Sequence, residues 1–124
     1  MTFHYGANRE LVFSFHLRFG SWLAYVGYGL TQGVQPADYV HGLLFLFGTL
    51  AATYQAWLWY AFPNDDYAYN VPGWLLHLFH IGAGLFLVWV SRQSEIGPVT
   101  GATLLVVGAA AVLYFLHLWI LGPC

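Results

Sequence analysis

Long apolar runs separated by short polar links dominate the chain. Four segments stand out, at about 11–30, 39–62, 73–91 and 99–121. A helix needs about 20 mostly apolar residues to cross a hydrocarbon core, and each segment meets that length. The runs are continuous and lack the polar/apolar alternation of a lipid-facing barrel, which argues against strands. His16 and Arg18 interrupt the first segment, whereas the second and third contain no Asp, Glu, Lys or Arg.

Breakers occupy the links. Thr31 through Pro36 end the first segment, and Asp38 is placed to cap the second. Pro63-Asn64-Asp65-Asp66 ends the second, and Pro72 stands where the third begins, a favoured place for proline. Arg92 through Pro98 form the last turn. Tyr39, Trp57, Trp59, Tyr60, Trp74, Trp89 and Trp119 gather near segment ends, as interfacial aromatic belts do. The pattern predicts an all-α, polytopic integral membrane protein, a bundle of four transmembrane helices, with residues 1–124 as a single transmembrane domain. Neither an internal repeat nor a cleavable signal peptide is expected.

Composition sharpens this picture. The chain is 60% apolar and 6% charged, against about 25% charged in ordinary soluble domains. Three arginines and five carboxylates cannot cover a soluble monomer of 124 residues. The net charge of −2 offers no footprint for nucleic acid, so no nucleic-acid partner is expected. The single Cys124 cannot close an intrachain disulfide. Arg9 and Arg92 fall on opposite sides of alternating spans, so the positive-inside rule ties.

The histidines carry the most informative polarity. With alternating spans, His16, His77, His80 and His117 fall in one leaflet within about two helical turns of depth. His77, His80 and Gly84 share a helix face, as do His16, Gly20 and Gly27. A small residue one or two turns from a histidine leaves room for a flat macrocycle. Neutral imidazole ligates haem iron and also chlorophyll magnesium. The cofactor expectation is therefore haem b or (bacterio)chlorophyll, with His16, His77, His80, His117 and Arg18 as candidate binding residues. His16 and His80, which lie deepest, are the candidate metal ligands. The alternative is that these imidazoles bond backbone carbonyls or lipid headgroups. A zinc-hydrolase site is disfavoured, because no His-Glu-x-x-His occurs and no carboxylate lies within a span.

Arg18 is the only charge well inside a segment, and an arginine there costs at least ~2.5 kcal/mol on insertion scales. Ser14, Arg18, Ser21 and Tyr25 form a polar stripe at helical spacing. Arg18 either binds a haem propionate, quinone oxygen or lipid phosphate, or it snorkels to the interface or pairs with another subunit's carboxylate. Ridges of small residues at Gly48, Ala52 and Ala56, and at Gly97, Gly101 and Gly108, supply close-packing surfaces.

These features favour a small accessory or anchor subunit of a larger membrane electron-transfer complex, respiratory or photosynthetic, not catalytic by itself. Its expected partners are other membrane subunits and lipids, and its expected location is a prokaryotic inner membrane or an equivalent energy-transducing membrane. The run His80-Ile81-Gly82-Ala83-Gly84 resembles the His-x-x-x-Gly of succinate dehydrogenase haem anchors, whereas Arg92 stands where those anchors offer an Asp-Tyr pair. Tyr114-Phe115-Leu116-His117 is similar to a tetrapeptide of oxidase subunit IV, in a different span. Neither short run assigns a family. The competing reading is a homo-oligomeric transporter or channel, for which Thr49, Thr53 and Gln55 offer part of a polar path. A membrane enzyme is disfavoured, since Ser14, Ser21 and Cys124 have no triad-like partners.

Overall fold

A computed structural model describes residues 9–61, 67–68 and 71–121. Four helices account for nearly all of them: α1 Arg9–Thr31, α2 Asp38–Ala61, α3 Gly73–Ser91 and α4 Pro98–Leu121. Their ends fall within two residues of the four apolar segments, because the same links that interrupt hydropathy also carry the helix breakers. Tyr67–Ala68 (β1) pairs antiparallel with Val71–Pro72 (β2) just ahead of α3. The Asp65-Asp66 link, His4 and Cys124 lie outside the described residues. Helices α3 and α4 are long and apolar enough to cross a membrane.

The link after α1 shows how the ends are made. Gly33 adopts φ 82°, the left-handed conformation that a Cβ disfavours. The Val34 N–H donates to the Gly29 carbonyl and the Gly33 N–H to the Leu30 carbonyl, a Schellman closure of the helix. Gln35 then reaches Ile96 twice, its Nε2 donating to the Ile96 carbonyl (2.8 Å) and its Oε1 accepting from the Ile96 N–H (3.0 Å). The Gln35→Leu variant is expected to lose about 1–3 kcal/mol, because the backbone groups of buried Ile96 lose both partners. Thermal unfolding in detergent measures this, and an unchanged midpoint would show that water replaces the amide.

The chain divides into two compact units, one holding α1 and α4 and the other α2 and α3. In the first unit the helices run antiparallel through three matched levels seven residues apart. Phe13 packs edge-on against Phe115 at 5.4 Å. A Cβ on Gly20 would meet the Gly108 carbonyl oxygen at 2.8 Å, and one on Gly27 would collide with the Gly101 carbonyl oxygen and the Leu105 nitrogen. Leu23, Leu30, Leu104 and Leu118 fill the spaces between and are almost fully buried.

The second unit is built on the same plan. Here His77 faces Gln55, Gly84 faces Gly48, and Ser91 faces His41. A Cβ on Gly48 would meet the Gly84 carbonyl oxygen at 2.6 Å. Glycine at the crossing lets two backbones touch, and close backbone approach is what holds apolar helices together where water supplies no driving force.

The shared plan exposes a feature hidden in the linear pattern: the second half of the chain repeats the first. Leu11, Phe15, His16, Gly20, Leu23 and Val26 of α1 recur at identical spacing as Leu75, Phe79, His80, Gly84, Leu87 and Val90 of α3. Leu44, Gly48, Ala51, Tyr54, Leu58 and Trp59 of α2 recur likewise as Leu104, Gly108, Ala111, Tyr114, Leu118 and Trp119 of α4. The expectation of no internal repeat is therefore corrected. The stretch from Gly84 to Gly108 is one helical turn shorter than that from Gly20 to Gly48, so a single alignment of the halves falls out of register. Each unit takes one helix from each repeat.

Candidate functional site

The buried polar side chains of the described residues are satisfied locally before any ligand is considered. No buried side-chain nitrogen or oxygen among the described residues lacks a hydrogen-bond partner. Ser21, Thr53 and Thr103 donate to carbonyls one turn back, at 2.7, 2.7 and 3.0 Å. Thr53 and Thr49, part of the polar path that a transporter would use, are joined in this way along their own helix.

The histidines follow a stricter rule. His16 Nδ1 donates to the Val12 carbonyl at 2.8 Å, and His80 Nδ1 donates to the Leu76 carbonyl at 2.7 Å. A carbonyl oxygen only accepts, so each Nδ1 carries the hydrogen and the lone pair sits on Nε2. A second-sphere bond of this kind fixes the tautomer of a ligating histidine. The residue before each histidine is phenylalanine, edge-on in both cases: Phe15 to His16 at 5.5 Å and 89°, Phe79 to His80 at 5.5 Å and 90°. His16 also stacks on Phe115 of α4, with ring centroids 4.1 Å apart. Both imidazoles are part-buried.

The glycines beside these histidines do something other than expected. Gly20 and Gly84 stand one turn beyond His16 and His80, a spacing that on sequence alone leaves room for a macrocycle. Both are buried against a partner helix, and their Cβ positions are filled by the Gly108 and Gly48 carbonyls. Helix contact has taken that space. Phe15 and Phe79 are exposed on their helices.

His77 is placed differently. It is 1% exposed, and its Nδ1 donates to Gln55 Oε1 at 2.7 Å inside the α2–α3 contact. Trp59 stacks on it at 6.0 Å. The same level of the first unit holds Phe13, Phe115 and Trp119, with Phe13 and Trp119 6.2 Å apart. A polar pair and an apolar pair thus occupy equivalent places on equivalent backbones. The sequence does not announce His77 and Gln55 as a pair. The seven-residue spacing that sets Gln55 opposite His77 becomes visible only once α2 and α3 are known to be partners.

His117 is exposed on α4. Arg18 is exposed on α1 on the same flank as exposed Ser21 and Tyr25, so the polar stripe read from the sequence points away from the α4 contact. Of the small-residue ridges, Gly48, Ala52, Gly101 and Gly108 are buried in helix contacts, whereas Ala56 and Gly97 are exposed. Among the described residues, no three of His, Cys, Asp and Glu gather around one point where a bare metal ion could sit. The donors on offer are single imidazoles.

No protein-family model matches the chain, and neither curated proteins nor solved structures yield a match.

Proposed function

We propose that the chain is a small anchor or accessory subunit of a larger membrane electron-transfer complex, respiratory or photosynthetic, crossing an energy-transducing membrane of the prokaryotic type four times. The observation that carries this reading is the pair of tautomer-fixed imidazoles, His16 and His80, on predominantly apolar helices. Ionisable side chains at such positions are rare and usually mark a cofactor or an ion pathway. A haem b or a (bacterio)chlorophyll held there, with lipids and neighbouring subunits covering the rest, accounts for that placement. The broad apolar flanks support the same picture. Leu11, Tyr25, Leu50, Leu85, Val106 and Ile120 are all more than half exposed, and they call for lipid or protein partners.

Arg18 fits either a lipid phosphate or a carboxylate of a neighbouring subunit, both of which accept from its planar guanidinium. The partner reading is tested by purifying the tagged chain from its native membranes in mild detergent. Co-elution with larger subunits that carry flavin, haem or iron–sulfur absorption is expected. A chain that elutes alone as a homo-oligomer and conducts ions in liposomes would replace this reading with that of a transporter.

A further inference from the structure

The repeat provides an internal control for the outward faces of the helices. The glycine, the second leucine and the valine that α1 and α3 share are buried in both, so the two helices pack through the same face. Their outward flanks differ as a block. Ser14, Arg18, Ser21 and Tyr25 of α1 correspond to Leu78, Gly82, Leu85 and Trp89 of α3. Steps of three and four residues keep each set on one side of its helix. Arg18, Ser21 and Tyr25 are exposed, and so are all four counterparts on α3.

The two flanks ask for different surroundings. Leucine, glycine and tryptophan on α3 suit acyl chains and need no polar neighbour. On α1 the guanidinium and the hydroxyls would meet acyl chains at a cost, because nothing there accepts or donates a hydrogen bond. The same contrast separates the repeats as wholes: α3 and α4, the two helices long and apolar enough to cross a membrane, both belong to the second. Packing positions are thus held constant between α1 and α3, while polarity changes where the helix faces outward.

We infer that the Arg18 flank of α1 seats a transmembrane helix of a partner subunit that carries a carboxylate, whereas the matching flank of α3 faces lipid. This rests on the membrane-anchor reading and commits it to one docking face and one acceptor for Arg18. A carboxylate takes both arms of the planar guanidinium at once. The stripe from Ser14 to Tyr25 runs about 16 Å along the helix. A lipid phosphate reached by snorkelling serves Arg18 alone and leaves Ser21 and Tyr25 against acyl chains, but a helix lying alongside covers the whole stripe. Ser21 places its hydroxyl proton on the Leu17 carbonyl, and its small side chain lets a neighbouring backbone come close. The carboxylate comes from another protein, because Asp38, at the very start of α2, is the only Asp or Glu in α2, α3 and α4. A second copy meeting through the same flank would set Arg18 against Arg18.

The test puts a photoreactive phenylalanine analogue in place of Tyr25 in the full chain, and in a second preparation in place of Trp89, and irradiates each in its native membranes. The probe at position 25 is expected to link to an apolar segment of about 20 residues that contains Asp or Glu, identified by mass spectrometry of the joined peptide. The probe at position 89 is expected to link to phospholipid. Arg18→Leu is expected to abolish the protein link, and Arg18→Lys to keep part of it, since an ammonium supplies the charge without the planar fork. Arg18→Leu with the probe at position 89 is expected still to label phospholipid, which shows that the variant inserts. Changing the partner's carboxylate to an amide is expected to act as Arg18→Leu does. A probe at position 25 that labels no protein, only a second copy of this chain, or a helix without Asp or Glu would overturn the inference, as would capture of the same protein from position 89. Co-elution judges the anchor reading separately. A linked partner without redox absorption would remove that reading and leave the docking flank, and a lipid-only link in a chain that co-elutes with redox subunits would do the reverse.

Discussion

Leucine in place of Gly27 is expected to drive α1 and α4 apart, with a larger loss of stability than a change at Gln35 or His77. A Cβ at this position collides with the Gly101 carbonyl oxygen and the Leu105 backbone nitrogen, and a Cβ on Gly101 collides with Leu30. These obstacles are backbone atoms and the Leu30 Cβ, which the backbone holds in place, so no flexible side-chain end can swing aside. Overpacking a core costs about 1–3 kcal/mol where side chains can yield, and Gly27→Leu is expected to exceed about 3 kcal/mol on that scale. Alanine at the same site already introduces the clashing atom and destabilises. The sign reverses at Gly42 and Gly82, where nothing lies within 4 Å of an added Cβ. Gly→Ala there gains up to ~1 kcal/mol of helix propensity. Unfolding in mixed micelles, followed by tryptophan fluorescence, measures all four variants. A Gly27→Leu protein as stable as Gly42→Ala would mean that α1 and α4 do not cross at these glycines.

The second large effect concerns the polar level of the α2–α3 unit. His77→Leu removes the ring N–H that Gln55 Oε1 accepts inside the helix contact, and an orphaned buried amide costs about 1–3 kcal/mol. Cavity and shape mismatch add to that. The double variant His77→Phe with Gln55→Phe is expected to recover most of the loss. The other unit already closes the same level with Phe13 against Phe115 at 5.4 Å, beside Trp119, the counterpart of Trp59. A coupling energy that makes the pair of changes milder than either change alone is the expected outcome of the double-mutant cycle. If the double variant is worse than both singles, the two units are not interchangeable at this level. Recovery would show that the fold does not require the His–Gln pair.

The two experiments also bear on how much of the protein can be read from its sequence. The helices are legible because their signal is local. Apolar runs of 19 to 24 residues bounded by proline, glycine and polar links permit little but helix, and the four fall where hydropathy places them. Candidate histidines were legible as residue types, since an imidazole in an apolar run stands out whatever the fold. Which face each one takes was less so. The glycines beside His16 and His80 read as space for a ligand, yet they serve the helix crossings, because a glycine's use depends on which neighbour approaches it. The His77–Gln55 pair and the internal repeat were not legible. The pair depends on the register between α2 and α3, and the repeat, though present in the residues, is hidden from a single comparison of the halves by the one-turn difference in the connecting stretch.

Composition and periodicity by themselves determined the number of helices among the described residues and where they end; two of them, α3 and α4, are long and apolar enough to cross a membrane. Those properties follow from hydropathy and backbone hydrogen bonding within one segment at a time. The tertiary structure alone decided that α1 pairs with α4 and α2 with α3, and that Gly20, Gly27, Gly48 and Gly84 mark the crossings. It also decided that His77 is buried in a helix contact, that His16 and His80 are part-buried, and that His117 is exposed. Outside the polar stripe of α1 the segments are apolar on most faces, so hydropathy alone does not specify a helix's partner. Partner choice comes instead from where two glycines can meet, and that is a property of pairs of helices.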